Sequence, residues 1–224
     1  MSDQPRKGPE EMAAFFDARA DGYDDHMREC LGSLFTPFYS ALATAVTPTT
    51  DEIEILDLGA GTGAEITGLL GRAPNAAFTC IDLSGGMLAK LRERYESQTR
   101  RLTLVQGSYL NSRLEAAHYH YVVSAMTLHH LPPDAKCVLY TRIRSALKAG
   151  GKYVEGDYYA SLRDEAANLA RFQETMSEAG DDQLYHVDVC LSLDTQRELL
   201  LRAGFARVTV AWRQNDKAVL IGVK

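Results

Sequence analysis

Apolar positions near the start of the chain follow a helical period. Met12, Phe15, Phe16, Arg19 and Tyr23 recur at steps that put them on one side of a helix, and Gly22 breaks the run. A short amphipathic cap helix is expected there, behind a polar tail that is expected to be disordered to about Gly8. Leu34, Phe38, Leu42 and Val46 then repeat at strict four-residue intervals. This predicts a second helix over about 31–46, closed at Thr47-Pro48 because the residue before proline is pushed out of the helical region.

From Asp51 the period changes. Ile53, Ile55, Leu56 and Leu58 are apolar at adjacent positions, as in a strand buried on both faces. Further strands are predicted at 77–83, 102–106, 121–125, 152–156, 206–212 and 218–223. Helices are predicted between them at 64–72, at 85–97 behind Ser84 as cap, and at 134–147 behind Pro132-Pro133 with Asp134 as cap and Gly150 as stop. Alternation of strand and helix predicts an α/β fold with a parallel sheet and helices on both faces, and the polar turn RQNDK at 213–217 predicts a C-terminal antiparallel hairpin. Residues 161–188 are too long for a plain connection. Leu162, Ala166, Leu169, Phe172, Met176 and Ala179 give them one apolar helical face ending at Gly180, which either roofs a pocket or packs as one more helix on the sheet. The division expected is a helical cap at 1–50 and a core at 51–224 carrying that insertion, in one domain overall.

Candidate chemistry begins where the first strand ends. Gly59, Gly61 and Gly63 remove the Cβ atoms that would block a sharp turn and a close ligand, and the helix that follows points its unpaired N–H groups at the same place. Asp82, at the end of the second strand, follows Gly63 by about the twenty residues expected of a carboxylate that binds ribose hydroxyls.

Five segments carry a resemblance in wording as well as spacing. LDLGAGTG, IDLSGGML, VQGSY, YVVSAMTLHHL and LKAGGKYVEGD resemble, in order, the motifs of the class I S-adenosylmethionine-dependent methyltransferases. The resemblance implies a Rossmann-like, seven-stranded, mostly parallel sheet with a C-terminal antiparallel hairpin. It also implies S-adenosylmethionine as cofactor and S-adenosylhomocysteine as product. Asp57, Gly59, Ala60, Gly61 and Gly63 would meet the methionine part, Asp82 the ribose, and Leu83 and Met87 the adenine. Ser124, Ala125 and Met126 would border the sulfonium. Gly107 is followed by Ser108 where the family commonly has Asp, so the adenine contact would fall to the Ser108 hydroxyl and to stacking on Tyr109. FFDARADGYDD resembles the family's N-terminal segment and makes Tyr23 a lid contact, the alternative being that Phe16 and Tyr23 only pack the cap on the core.

For the acceptor, His129 and His130 are candidates for a general base, because imidazole titrates near neutrality. The alternative for either is a structural bond to backbone. Asp157, Tyr158, Tyr159, Tyr185, His186 and Asp188 form a candidate acceptor pocket, since they fall at a strand end and at the end of the insertion. The chain lacks the Asn/Asp-Pro-Pro-aromatic tetrad that family members use for amides and nucleobases, which disfavours those acceptors. His118 and His120 have no third ligand near in sequence and are expected to be surface residues, so no metal is expected.

Composition narrows the class further. In 224 residues with 46% hydrophobic content and a net charge of −6, the chain has enough apolar material for one core and the wrong charge for tracking a phosphate backbone. No signal peptide or membrane span is read, and Cys30, Cys80, Cys137 and Cys190 form no CxxC pair, so a cytoplasmic protein with reduced thiols is expected. A small-molecule acceptor, neither nucleic acid nor membrane, follows, and a homodimer is left open. Methyl transfer to an O, N, S or C nucleophile is the activity expected. Its rivals are a non-catalytic S-adenosylmethionine-binding regulatory protein and an NAD-dependent oxidoreductase.

Overall fold

The computed structural model describes residues 11–179 and 185–224; the expected disorder before Gly8 and the helix stop at Gly180 lie outside them. Seven strands form one sheet: β1 (Glu54–Leu58), β2 (Ala77–Asp82), β3 (Leu102–Gln106), β4 (Tyr119–Ala125), β5 (Leu147–Tyr158), β6 (Arg207–Gln214) and β7 (Lys217–Val223). Their order across the sheet is β3-β2-β1-β4-β5-β7-β6. β1 to β5 pair in parallel, and β7 enters antiparallel between β5 and β6. The expected fold, hairpin included, is present.

Alternation along β1 explains how both faces are buried. Ile55 joins one core cluster with Phe78, Val123, Val154 and Val219, while Leu56 and Leu58 join the other with Val122, Tyr153 and Leu220. The first face is covered by α3 (Phe35–Thr44), α4 (Ile66–Arg72) and α5 (Gly85–Arg94), and the second by α6 (Pro133–Ala146) and α8 (Leu193–Arg202). Each helix puts a fully buried side chain on the sheet: Phe38, Leu69, Leu91, Tyr140 and Leu200. At ~1.5–3 kcal/mol for each such side chain, this burial is what sets the sheet's position.

The chain runs outward from β1 to β3 and then returns to lay β4 against the other side of β1. At that switch the connections leave in opposite directions, and a crevice opens beyond the carboxyl ends of β1 and β4.

Several boundaries differ from expectation. The N-terminal segment holds three helices, α1 (Met12–Asp17), α2 (Tyr23–Leu31) and α3. Gly22 ends a short 3₁₀ turn (Ala20–Gly22) that follows α1 and caps the start of α2, and Gly32, at φ +51, ends α2 before α3. The cap of α6 is Pro132, with Asp134 inside the first turn, and the helix ends at Ala146 because Leu147 already enters β5. α8 was not evident from periodicity. Its signal is Ser192, whose hydroxyl accepts from the Thr195 N–H at 3.2 Å. α7 (Leu162–Ala179) is helical as expected. All four cysteines are free.

Candidate active site

The turn after β1 is held by its own glycines. Gly59, Gly61 and Gly63 all have positive φ, and a Cβ on Gly59 would lie 2.2 Å from Thr127 Oγ1. Asp82 closes the far side. Its carboxylate accepts from the N–H groups of Gly61 and Ser84, each at 2.8 Å, so the ends of β1 and β2 are tied across the crevice. Behind the turn, Asp57 and Glu65 face one another with no donor among the described residues reaching Asp57 Oδ1, Asp57 Oδ2 or Glu65 Oε1. Burial, then the neighbouring charge, raises Asp57 well above the usual carboxylate range, and burial also raises Glu65.

The cap is fastened over this turn by its acids. Asp17 Oδ1 accepts from Ser84 Oγ at 2.5 Å and from Gly86 N at 3.0 Å, where it faces the N-terminus of α5. Asp24 accepts from Thr62 Oγ1 at 2.6 Å and pairs with Arg94, which also donates to the Thr62 carbonyl. Thus α1 and α2 close the crevice and leave a small cavity of about 40 Å³, lined by Met12, Phe16, Tyr23, Gly59, Gly61, Asp82, Leu83, Met87, Tyr109, Met126 and Thr127.

A second chamber of about 580 Å³ lies beside it. Phe16, Tyr23 and Met126 belong to both, so those side chains divide the two spaces. Met126 stands at φ +53, held by its N–H bond to the Gly156 carbonyl at 2.8 Å. The rest of the chamber wall includes Phe15, His26, Cys30, His129, His130, Tyr158, His186 and Asp188.

Asp157 organises the histidines. One oxygen accepts from the backbone N–H groups of Leu128 (2.9 Å) and His129 (3.0 Å), and the other meets His129 Nδ1 at 2.6 Å and the Tyr158 N–H at 2.8 Å. Burial pulls His129 down, but the Asp157 charge and bond outweigh it, and its pKa is raised. Asp157 itself is lowered: burial opposes this, and the His129 charge and bond, helped by Lys136, prevail. With Nδ1 committed to Asp157, His129 turns Nε2 toward the chamber, 3.7 Å from Asp188 Oδ1. His130 is pushed down to about 4 by burial, and its Nδ1 lies 3.2 Å from the same oxygen without hydrogen-bond alignment.

Sequence-predicted residues divide three ways. Tyr23, Gly59, Gly61, Asp82, Leu83, Met87, Tyr109 and Met126 line the small cavity, while His129, His130, Tyr158, His186 and Asp188 line the chamber. Ala60, Gly63 and Asp57 support the turn from behind, and Asp157 supports the histidines. The remainder turn away. Ser124 Oγ bonds the Tyr153 hydroxyl at 2.8 Å inside the core, and Ser108 Oγ accepts from the Leu110 N–H at 3.2 Å, fixing the turn after Gly107. Ala125 is half-buried at the end of β4. Tyr159 donates to the Asn215 carbonyl on the hairpin, and Tyr185 pairs with Glu11. His120 is not a plain surface residue, since Nδ1 accepts from the Glu54 N–H at 2.9 Å and ties β4 to β1. Thr127, Glu65, Asp17 and Asp24 were missed. The acid-rich stretch DARADGYDD was the available signal for the last two.

Comparison with known proteins gives the class. A methyltransferase domain family matches residues 55–151. The chain is 30% identical to carboxy-S-adenosyl-L-methionine synthase of Chromohalobacter salexigens over 186 residues, covering 76% of this chain and 68% of that one. It is 29% identical to malonyl-[acyl-carrier protein] O-methyltransferase of Geobacter sulfurreducens over 201 residues, covering 88% and 68%. In structure it resembles the DhpI complex with S-adenosylhomocysteine at a TM-score of 0.70 and 20% identity, covering 94% and 93%. The chain belongs to the class I S-adenosylmethionine-dependent methyltransferases. It is a methyltransferase whose cofactor is S-adenosylmethionine, not a dinucleotide.

Proposed function

We propose that the protein moves the methyl group of S-adenosylmethionine to a hydroxyl oxygen of a small molecule bound in the 580 Å³ chamber. The observation that carries this is the shared wall: Phe16, Tyr23 and Met126 alone belong to both spaces, so donor and acceptor would meet across them. In this reading the Gly59–Gly63 turn, with Ala60 and Asp57 behind it, receives the methionine part. Asp82 takes the ribose diol, and Leu83, Met87 and Tyr109 enclose the adenine beside the Gly107-Ser108 turn. Met126 borders the sulfonium. The cavity of about 40 Å³ is far below the ~300–1,000 Å³ of an ordinary ligand site, so Met12 and Phe16 must move outward as the cofactor enters.

Transfer is an in-line displacement. The acceptor oxygen forms its bond to the methyl carbon, the C–S bond breaks with its electron pair left on sulfur, and the hydroxyl proton leaves. In the simplest form of the reaction that proton passes to His129 Nε2, whose ring is oriented by Asp157. The net charge of −6 favours a small acceptor over nucleic acid.

The test is transfer of labelled methyl from S-adenosylmethionine across a panel of hydroxyl, carboxyl and amine acceptors. A hydroxyl acceptor should be methylated, and His129→Asn should lower kcat on it by about 10²-fold or more while cofactor affinity is kept. Transfer only to amines, or full turnover in His129→Asn, would contradict the reading.

A further inference from the structure

Three lone-pair donors, two on buried histidines and one on the exposed Asp188, converge in the chamber. His129 Nε2 and His130 Nδ1 lie 3.7 Å and 3.2 Å from Asp188 Oδ1, and all three atoms fall within 4.8 Å of one another. Ligands about 2.0–2.2 Å from a tetrahedral zinc-like ion stand about 3.4 Å apart, so the two spacings to Asp188 already match, and the two imidazole nitrogens would draw to the same separation on binding. We propose that His129, His130 and Asp188 form a site for one divalent transition-metal ion on the floor of the acceptor chamber. The proposal rests on reading that chamber as the acceptor site; with the ion bound, His129 Nε2 is a ligand, and the ion takes over from it the task of lowering the acceptor hydroxyl's pKa.

Two independent features make this a built site. His129 donates its other ring nitrogen to Asp157 at 2.6 Å, and Asp157 is itself fixed by the N–H groups of Leu128, His129 and Tyr158. A carboxylate behind a histidine is how proteins fix the tautomer that presents a ligating lone pair. Moreover, His130 Nδ1 is buried and has no aligned hydrogen-bond partner, although its side chain is only 3% exposed. A cation between it and Asp188 would satisfy both. Two imidazoles and one carboxylate suit zinc, cobalt or iron better than magnesium or calcium.

The arrangement has three protein ligands on one side and the chamber on the other, the pattern of a catalytic site with a position left for water or substrate. An acceptor hydroxyl binding there would lose its proton to solvent and attack as the metal-held alkoxide. The C–S electron pair still departs with sulfur, so no other reactant is needed. His26 and Cys30, whose Sγ and Nε2 lie 3.4 Å apart on α2 across the same chamber, are the competing soft site.

The experiment is calorimetry of the tag-free, chelator-stripped protein with Zn²⁺, repeated with Co²⁺ while its visible absorption is followed. One ion per chain at micromolar affinity or better is expected, with cobalt bands of a four- or five-coordinate nitrogen and oxygen site. His130→Gln and Asp188→Asn should each weaken metal binding by about tenfold or more, and Cys30→Ser should leave it unchanged. Affinity for S-adenosylhomocysteine, measured on every variant, reports that the fold is intact. No binding below millimolar, binding that survives His130→Gln and Asp188→Asn, or loss in Cys30→Ser would overturn the proposal. Because the readout needs no acceptor, it succeeds or fails separately from the methyl-transfer test.

Discussion

At the scale of single residues, the carboxylates set the behaviour of the cofactor site. Asp82 is half-buried, and among the described residues its carboxylate is bonded to two backbone N–H groups, which leaves its oxygens able to take a diol. Asp82→Ala should weaken S-adenosylmethionine binding by more than about tenfold in calorimetry, because the ribose hydroxyls would be left without a partner. Asp57 and Glu65 act in the opposite sense on the empty protein. Their pKa values are raised from 3.8 and 4.5, so the folded state holds a proton that the unfolded chain gives up as pH climbs past those values. Stability is therefore greatest below about pH 4 from this pair and is lost as pH rises toward their folded pKa values. Asp57→Asn removes the conflict, since its amide can donate to Glu65. At neutral pH the cofactor-free variant should melt about 2–4 °C higher for each kcal/mol relieved, yet bind S-adenosylmethionine more weakly. A lower melting temperature for the variant would show that the pair is not strained.

At the scale of elements, the cap is a clasp whose catch is acidic. Asp17 joins α1 to the Ser84 hydroxyl and the Gly86 N–H at the start of α5, and nothing in the sheet depends on that contact. Asp17→Ala should speed release of S-adenosylhomocysteine by about fivefold in stopped-flow, because the bonds of this exposed carboxylate are worth about 1 kcal/mol, and should lower the melting temperature of the cofactor-free protein by no more than about 2–4 °C. Unaltered release would mean that α1 does not gate the site. Elements also show where sequence was legible. The strands of the sheet centre were readable because both faces are buried, so their apolar runs have no polar alternation to confuse them. The glycine turn was readable because Gly59 has room for no side chain against Thr127. By contrast, α2 was hidden: its residues YDDHMRECL bury only Met27 and Leu31 and leave most of the helix facing solvent or the chamber. α8 was hidden by the single stretch LDTQRELLLR, in which the apolar residues bunch at one end. Of the acceptor set, Tyr158, His186 and Asp188 reach the chamber, whereas Tyr159 follows the opposite side of the chain from Tyr158 onto the hairpin. That one-residue alternation cannot be assigned until the strand's register is known. Asp157 was expected in the pocket and instead stands behind His129.

At the scale of the whole molecule, two adjoining spaces lie at the switch between β1 and β4, with α1 and α2 over both. The sheet supplies the floor for the glycine turn and for the Asp157–His129 pair, and the cap supplies the facing walls. In the proposed reaction the methyl carbon faces the histidine chamber. A crystal structure of the complex with S-adenosylhomocysteine tests this most directly. It should place the homocysteine sulfur beside Met126 and Tyr23, with Asp82 on the ribose hydroxyls and an open path from the sulfur to His129. A sulfur turned toward α5, or a wall of side chains left closed between it and the chamber, would contradict it.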